Sequence, residues 1–257
     1  MAPSSVGPTR RVVALSSRHG CRDTLRRVGE SAWLRAQAAG VKALYQRQLV
    51  RGRVYAVDGS GLGDDFRLVA LVCVSATRPI IVAWRLLSGS ASEKGKEAAV
   101  TRSLIEQVLE AAEPKAISLL LADAMYADGP LLAWLKYGKG IDALVSLPED
   151  RLLYQDLKGL ADGRLIDWTH HRYLRTIQGH KQVREVEVTE ASELTSWDGF
   201  IDAAALYGVP DARLWACLIR DVTTQEAAAE PPRALVSTRR FSDGFAALQA
   251  FRPIHLT

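Results

Sequence analysis

The chain is poor in cysteine. Cys21, Cys73 and Cys217 are spread through 257 residues and are odd in number. That argues against a disulfide framework and a CxxC zinc site, and it suits a reducing compartment, so a cytoplasmic location is expected. No apolar run approaches the roughly 18 residues that a membrane-spanning helix needs, so no membrane partner is expected. Acidic residues are nearly missing from the first stretch. Residues 1–53 carry eleven Lys and Arg against only Asp23 and Glu30, a local charge of +9. The whole chain carries +4, so the remainder carries −5. A basic arm on a mildly acidic body points to a polyanionic partner, although a solvated surface helix would have the same composition. Residues 2–20 hold Ser and Arg and no acid, yet no cleavage signature follows to mark a targeting peptide.

With 48% hydrophobic and 24% charged residues, the chain has the balance of a globular protein. Residues 24–50 place apolar side chains such as Leu34, Ala38, Val41 and Tyr45 at helical spacing. Three strands are then predicted, over Arg53–Asp58, Phe66–Ala76 and Ile80–Leu87, with GSGLGDD after Asp58 read as a turn or loop. Short connections make them an antiparallel meander. A helix from Ser92 to Glu113 follows, then a continuous apolar strand over Ala116–Asp123, of the kind buried on both faces. A short helix over Asp128–Tyr137 and a strand over Ile141–Leu147 complete the order β-β-β-α-β-α-β. Further strands are expected over Leu165–Thr169, Tyr173–Ile177, Gln182–Thr189 and Leu214–Val222, punctuated by glycine, as a β-rich insertion. The core resumes at Ala234–Thr238, with a helix starting near Ser242-Asp243. The organisation expected is a basic helical arm over 1–52, a first core part over 53–150, the insertion over 151–222 and the resumed core over 223–257.

A meander followed by right-handed crossovers sets the fourth strand beside the first and parallel to it. Asp58 and Asp123 then end neighbouring strands at one sheet edge, the edge where open α/β sheets hold ligands. Two carboxylates there suit a hard divalent cation, Mg²⁺ or Mn²⁺, which takes oxygen ligands and keeps sites for water and phosphate. Paired ions roughly 3.5–4 Å apart serve phosphodiester cleavage. The plainer reading is that each Asp caps a strand end or turn.

Three segments carry a family resemblance. YAVDGSGL (Tyr55–Leu62) resembles the first-Asp motif of insertion-sequence transposases, and LLLADAMYADGPLLAWL (Leu119–Leu135) resembles their second. ALVSTRRFSDGFAALQAFR (Ala234–Arg252) resembles the strand and helix that lead to their third acid. The resemblance covers roughly residues 50–252 and implies an RNase H-like, Asp-Asp-Glu core of mixed α/β class. It implies Asp58 and Asp123 as catalytic metal ligands, two divalent ions, DNA at mobile-element ends and at the target as partner, and a homodimer as the assembly. Arg10, Arg11, Arg22, Arg26, Arg27, Arg51, Arg53, Arg239, Arg240 and Arg252 are the candidate DNA contacts. The family's third-acid helix continues from Tyr-Arg to Arg-Trp and Ile-Glu. Here Phe251-Arg252 match its start, and Pro253–Thr257 contain no counterpart of the Glu or of the later Lys. Pro253 would also disturb a continuing helix. The chain therefore reads as truncated before the third acid, with an incomplete metal site.

Three functions follow as alternatives. The first is a nuclease and strand transferase on DNA, the second a catalytically dead DNA-binding remnant, and the third an ATP-binding domain of the actin and sugar-kinase type, in which the Asp-Gly-Ser-Gly turn would grip phosphates. Secondary candidates are weaker. His170 and His171 should face opposite ways on a strand, and Trp168 and Trp197 could stack on bases. If the arm binds phosphates, deleting residues 1–30 should weaken DNA binding and flatten its dependence on salt, because neutralised phosphates release counterions. Titrating a labelled duplex at several salt concentrations tests this, and an unchanged slope would refute it.

Overall fold

In the computed structural model the described residues are 30–62, 66–75, 78–88, 96–112, 115–177 and 180–253. Arg10, Arg11, Arg22, Arg26 and Arg27 lie outside them, as do most of the basic arm and residues 254–257. The arm's predicted helix is described only as α1 (Glu30–Gln46).

The protein is mixed α/β, built on one nine-stranded sheet in the order β3-β2-β1-β4-β5-β9-β8-β7-β6. The meander is β1 (Val54–Leu62), β2 (Phe66–Cys73) and β3 (Ile80–Ser88), paired antiparallel. Helix α2 (Glu97–Ala111) crosses to β4 (Leu119–Ala122), which pairs parallel with β1. After a 3-10 turn at Ala124–Tyr126 come α3 (Gly129–Ala133) and a wider turn of π-helix over Trp134–Lys139. Asp128 caps α3 by accepting the Leu131 N–H at 2.7 Å, and Pro130 fits its first turn because it lacks an N–H where the helix offers no acceptor for one. The next strand, β5 (Asp142–Leu147), is parallel to β4.

β4 is buried at all four positions, as its unbroken apolar run requires. One face packs Leu120 and Ala122 with Tyr55, Val57 and the α2 residues Leu104, Ile105 and Val108. The other packs Leu119 and Leu121 with Ala56, Leu144, Trp215 and Phe251.

Two expectations change. The segment after Asp58 is not a loop: β1 runs on through Gly59, Ser60 and Gly61 to Leu62, which pairs with Phe66. Glycine weakens a strand but does not forbid it when the partner strand supplies a full ladder. The strands read as a β-rich insertion belong to the same sheet as the core. They extend the central sheet through β6 (Thr169–Ile177), β7 (His180–Leu194), β8 (Leu214–Asp221) and the resumed strand β9 (Arg233–Ser237). β9 pairs antiparallel with both β5 and β8, so it joins the two halves. Leu165–Ile166 and the residues up to Trp168 are not strand, and α4 (Leu152–Asp162) and α5 (Asp198–Ala205) were not anticipated. A short helix, α6 (Gln225–Ala229), precedes β9, and α7 (Gly244–Phe251) follows it, capped by Asp243 accepting the Ala246 N–H at 2.6 Å.

Gly129 is required where α3 meets α5. A Cβ there would lie 2.5 Å from the Gly199 carbonyl carbon and from the Phe200 nitrogen. Both are backbone atoms that cannot swing aside. Gly129→Ala should therefore destabilise the protein by about 1–3 kcal/mol, the range for forced overpacking. Denaturant unfolding would measure it, and a midpoint equal to that of the unmodified chain would contradict this packing.

Candidate metal and nucleic-acid site

The parallel ladder between β1 and β4 ends at the pair Val57–Ala122. The next residue on each strand is a candidate carboxylate, Asp58 and Asp123. Neighbouring strands lie about 4.8 Å apart, so the two aspartates are side by side where β4 ends, although Asp58 does not end its own strand as expected, because β1 runs on to Leu62. They also share a face. Side chains alternate along a strand, and Ala56 and Leu121, two residues back, both belong to the cluster beneath α7. Both aspartates are half-buried. Asp123 does cap a turn, accepting the Met125 N–H on Oδ1 at 2.9 Å. A carboxylate has about four acceptor positions, so capping leaves Asp123 able to take a cation as well.

Three residues that sequence reasoning missed complete the surroundings. Arg67, on β2 opposite Gly61, turns its guanidinium back along the edge. Nη2 donates to the Gly59 carbonyl at 3.4 Å and lies against Met125 Sδ, and Nε sits 3.5 Å from Glu97 Oε1. That last contact is electrostatic, without hydrogen-bond geometry. Glu97 is 5% exposed, at the first turn of α2, where a negative charge also suits the helix dipole. Tyr126 is 1% exposed, and its hydroxyl has no hydrogen-bond partner among the described residues. Burial raises the Tyr126 phenol above its ordinary value; Asp123, Asp58 and Glu97 raise it further, and Arg67 opposes them. Tyr126 thus stays neutral near the three carboxylates. Gly59 makes room for this group, since a Cβ there would lie 2.9 Å from both Tyr126 Oη and Arg67 Nε. No simple sequence signal marked these residues. Arg67 and Glu97 become neighbours only through the β1–β2 register and the crossover.

The candidate DNA contacts separate by sheet edge. Arg53 precedes β1 and donates from Nε to the Lys115 carbonyl at 2.8 Å, at the end away from Asp58. Arg51 lies just before it and donates to Gln48. β9 runs opposite to β5, so Arg239 and Arg240, which follow β9, also lie at that far end. Arg239 stacks over the Phe241 ring at 4.6 Å. Arg252 is at the end of α7, on the carboxylate side of the sheet, 5.1 Å over the Tyr173 ring. Only Arg252 of the predicted arginines among the described residues thus shares a side with Asp58 and Asp123. His170 and His171 face opposite ways as expected: His170 Nε2 lies 3.8 Å from Glu185, and His171 stacks on Phe245 with centroids 4.3 Å apart. Trp168 packs under Arg220, and Trp197 is buried in the core, so neither is free to stack on a base.

Asp58 and Asp123 offer carboxylate oxygens, the donor type that a hard cation takes. Among the described residues no group of three or more His, Cys, Asp or Glu side chains is arranged to hold a metal. No protein-family model and no curated protein sequence matches the chain.

An unpartnered buried hydroxyl costs about 1–3 kcal/mol. Tyr126→Phe should therefore leave the metal-free protein as stable or raise its stability by about 1 kcal/mol. Thermal unfolding in EDTA checks this, and a loss beyond 1 kcal/mol would mean that the hydroxyl has a partner.

Proposed function

We propose that this chain carries the site of an insertion-sequence transposase of the Asp-Asp-Glu class, for metal-dependent cleavage of DNA phosphodiesters and strand transfer at mobile-element ends. The observation that carries this reading is the placement of Asp58 and Asp123 as the first residues beyond a shared parallel ladder, on one face. The order β3-β2-β1-β4-β5, with an antiparallel meander followed by two parallel strands, is what an RNase H-like core would have. Asp58 and Asp123 would hold Mg²⁺ or Mn²⁺. Such an ion, when bound, polarises a phosphoryl oxygen and lowers the pKa of its bound water.

The chain's own residues bind and orient. Arg67, a third exposed and held toward the edge by Glu97, offers a fixed positive charge to a phosphate oxygen. Tyr126, kept protonated, adds no further negative charge near the carboxylates. The ATP-binding alternative is disfavoured, because the Gly59–Gly61 backbone is engaged in the β1–β2 ladder instead of forming an open phosphate cradle. The DNA-binding remnant is favoured over an efficient nuclease by one observation: among the described residues no third acid is arranged with Asp58 and Asp123 to hold a metal, and Glu97 lies against Arg67 instead. Catalysis of this kind relies on placed charge, and each 1.36 kcal/mol of missing stabilisation slows it tenfold.

The chain should bind Mn²⁺ weakly and nick DNA poorly. Removing Asp58 should weaken Mn²⁺ binding by roughly tenfold or more, given that even outer-shell partners of a metal are worth 10–100-fold. Mn²⁺ titration of the unmodified chain, Asp58→Ala and Asp123→Ala, followed by electron paramagnetic resonance, tests the site. Equal affinity in all three would sink it. Robust nicking that vanishes in Asp58→Ala would instead require a third acid elsewhere.

A further inference from the structure

The carboxylate side of the sheet holds a second feature. A cleft of about 350 Å³ opens on the same face as Asp58 and Asp123, beneath the end of α7. It begins at Ser146, on the strand next to Asp123, and crosses β9, β8, β7 and β6. At about 4.8 Å per strand it extends roughly 20 Å sideways from the metal edge. Four arginines line it, Arg175, Arg184, Arg233 and Arg252, against two acids, Asp221 and Glu230.

The strand directions explain this convergence. β8 rises and ends at Asp221, which pairs with Val186. β6 and β7 continue past that point, with Tyr173–Arg184 and Arg175–Gln182 among their further pairs. The β6–β7 hairpin therefore overhangs the end of β8 by six residues per strand, about 20 Å at strand rise. Alternation puts Tyr173, Arg175 and Arg184 on its cleft side. Arg184 Nη2 lies 3.3 Å from Asp221 Oδ2. Burial alone would raise the Asp221 carboxyl; the bonds from Thr223 and the charges of Arg184 and Arg233 outweigh it and hold Asp221 below the usual carboxylate range. Asp221 is therefore ionised and neutralises part of this group, while Glu230 is exposed at the rim. Two positive charges remain in excess. Arg252 is splayed over Tyr173, bonded to Gln249 Oε1 at 2.6 Å and reaching the Leu174 carbonyl at 3.4 Å, which fixes its guanidinium at the cleft wall.

We propose that this cleft is a binding groove for the phosphates of a nucleic-acid strand, with Arg175 and Arg233 as its principal contacts and the β6–β7 hairpin as its outer wall. The groove continues the row that starts at Asp58 and Asp123, so a strand lying in it passes the metal edge. That last link rests on the function proposed above; the phosphate binding does not. Guanidinium groups on rigid strands suit phosphate oxygens, since their planar forks are pre-organised.

The test uses the full chain in EDTA, so metal chemistry plays no part. The probe is a fluorescein-labelled single strand of about 20 nucleotides, longer than most single-strand site sizes, read by anisotropy across a salt series. Arg175→Ala/Arg233→Ala should weaken binding at least about fivefold and reduce the magnitude of the salt slope by about 1.4, at about 0.7 for each phosphate no longer neutralised. Arg175→Lys/Arg233→Lys should recover most of the slope, because the positive charges return. Arg239→Ala/Arg240→Ala, at the far edge, should change affinity less than twofold. Circular dichroism confirms that each variant is folded. An Ala pair that binds within twofold of the unmodified chain, or a far-edge pair that weakens binding as much, overturns the groove. So does polyglutamate competing as well as unlabelled DNA at equal charge, which would assign the cleft to an acidic polypeptide. Retained DNA binding with no Mn²⁺ effect from Asp58→Ala would leave the groove standing and remove the metal reading.

Discussion

The parallel pairing of β1 with β4 is the constraint on which the rest depends. It joins the meander to the crossover half, and it ends at Val57–Ala122, so that the next residue on each strand is an aspartate. β4 has no solvent-facing position, and both its faces must be covered by helices or by the strands' own neighbours. A slip of one residue between β1 and β4 would turn one aspartate to the other face and bring apolar side chains to the edge. The core packing that fixes the register therefore also fixes the carboxylate pair. Stability and site geometry are the same interaction at this place.

Charge is sorted by the polarity of the sheet. Asp58, Asp123, Arg67 and Glu97 gather at one edge, with the Tyr126 hydroxyl buried beneath them. Asp58 and Asp123 are half-buried, close and of like sign, which is unfavourable without a compensating cation. Arg67 supplies part of that compensation, and Glu97 in turn takes part of the Arg67 charge. The arrangement leaves net negative charge at the edge and places the Arg67 charge beside it. Arg51, Arg53, Arg239 and Arg240 are at the far end, too distant to act on the same phosphate.

Much of this fold was legible in the sequence where a segment had one clear period. The meander strands, the buried β4 and the helix capped at Asp128 all follow from local pattern and cap chemistry. The direction of β4 followed from the handedness of crossovers, and with it the adjacency of Asp58 and Asp123. Three things were not legible. GSGL looked like a turn because glycine has low strand propensity; pairing to β2 overrode it. The helices α4 and α5 were hidden in a stretch whose glycines and strand-like neighbours suggested only β structure. The third was partnership across the sheet. Arg67 with Glu97, and Arg175 with Arg233, are distant in sequence and share no motif. Whether the strands after residue 151 formed a layer of their own or widened the existing sheet could not be read from alternation, which is the same in both cases.

That widening has a consequence for how the two charged regions relate. β9 lies between β5 and β8 in the sheet order and joins them. It is pinned at its far end by a compact set of bonds: the Ser237 hydroxyl donates to the Ala143 carbonyl at 2.8 Å, and the Ala143 N–H donates to Thr238 Oγ1 at 2.9 Å. Both Ser237 and Thr238 are buried, so these bonds are shielded from water and costly to break. Gly244 adds close packing on the α7 side, where a Cβ would lie 2.3 Å from Val188 Cγ1. The acidic edge and the arginine cleft are thus connected by an unbroken hydrogen-bonded ladder rather than by a linker. A flexible connection would let the two find a common ligand only at an entropic cost. Here their spacing is set by strand count and strand separation, so a ligand spanning the cleft and the aspartates would meet both at one fixed distance.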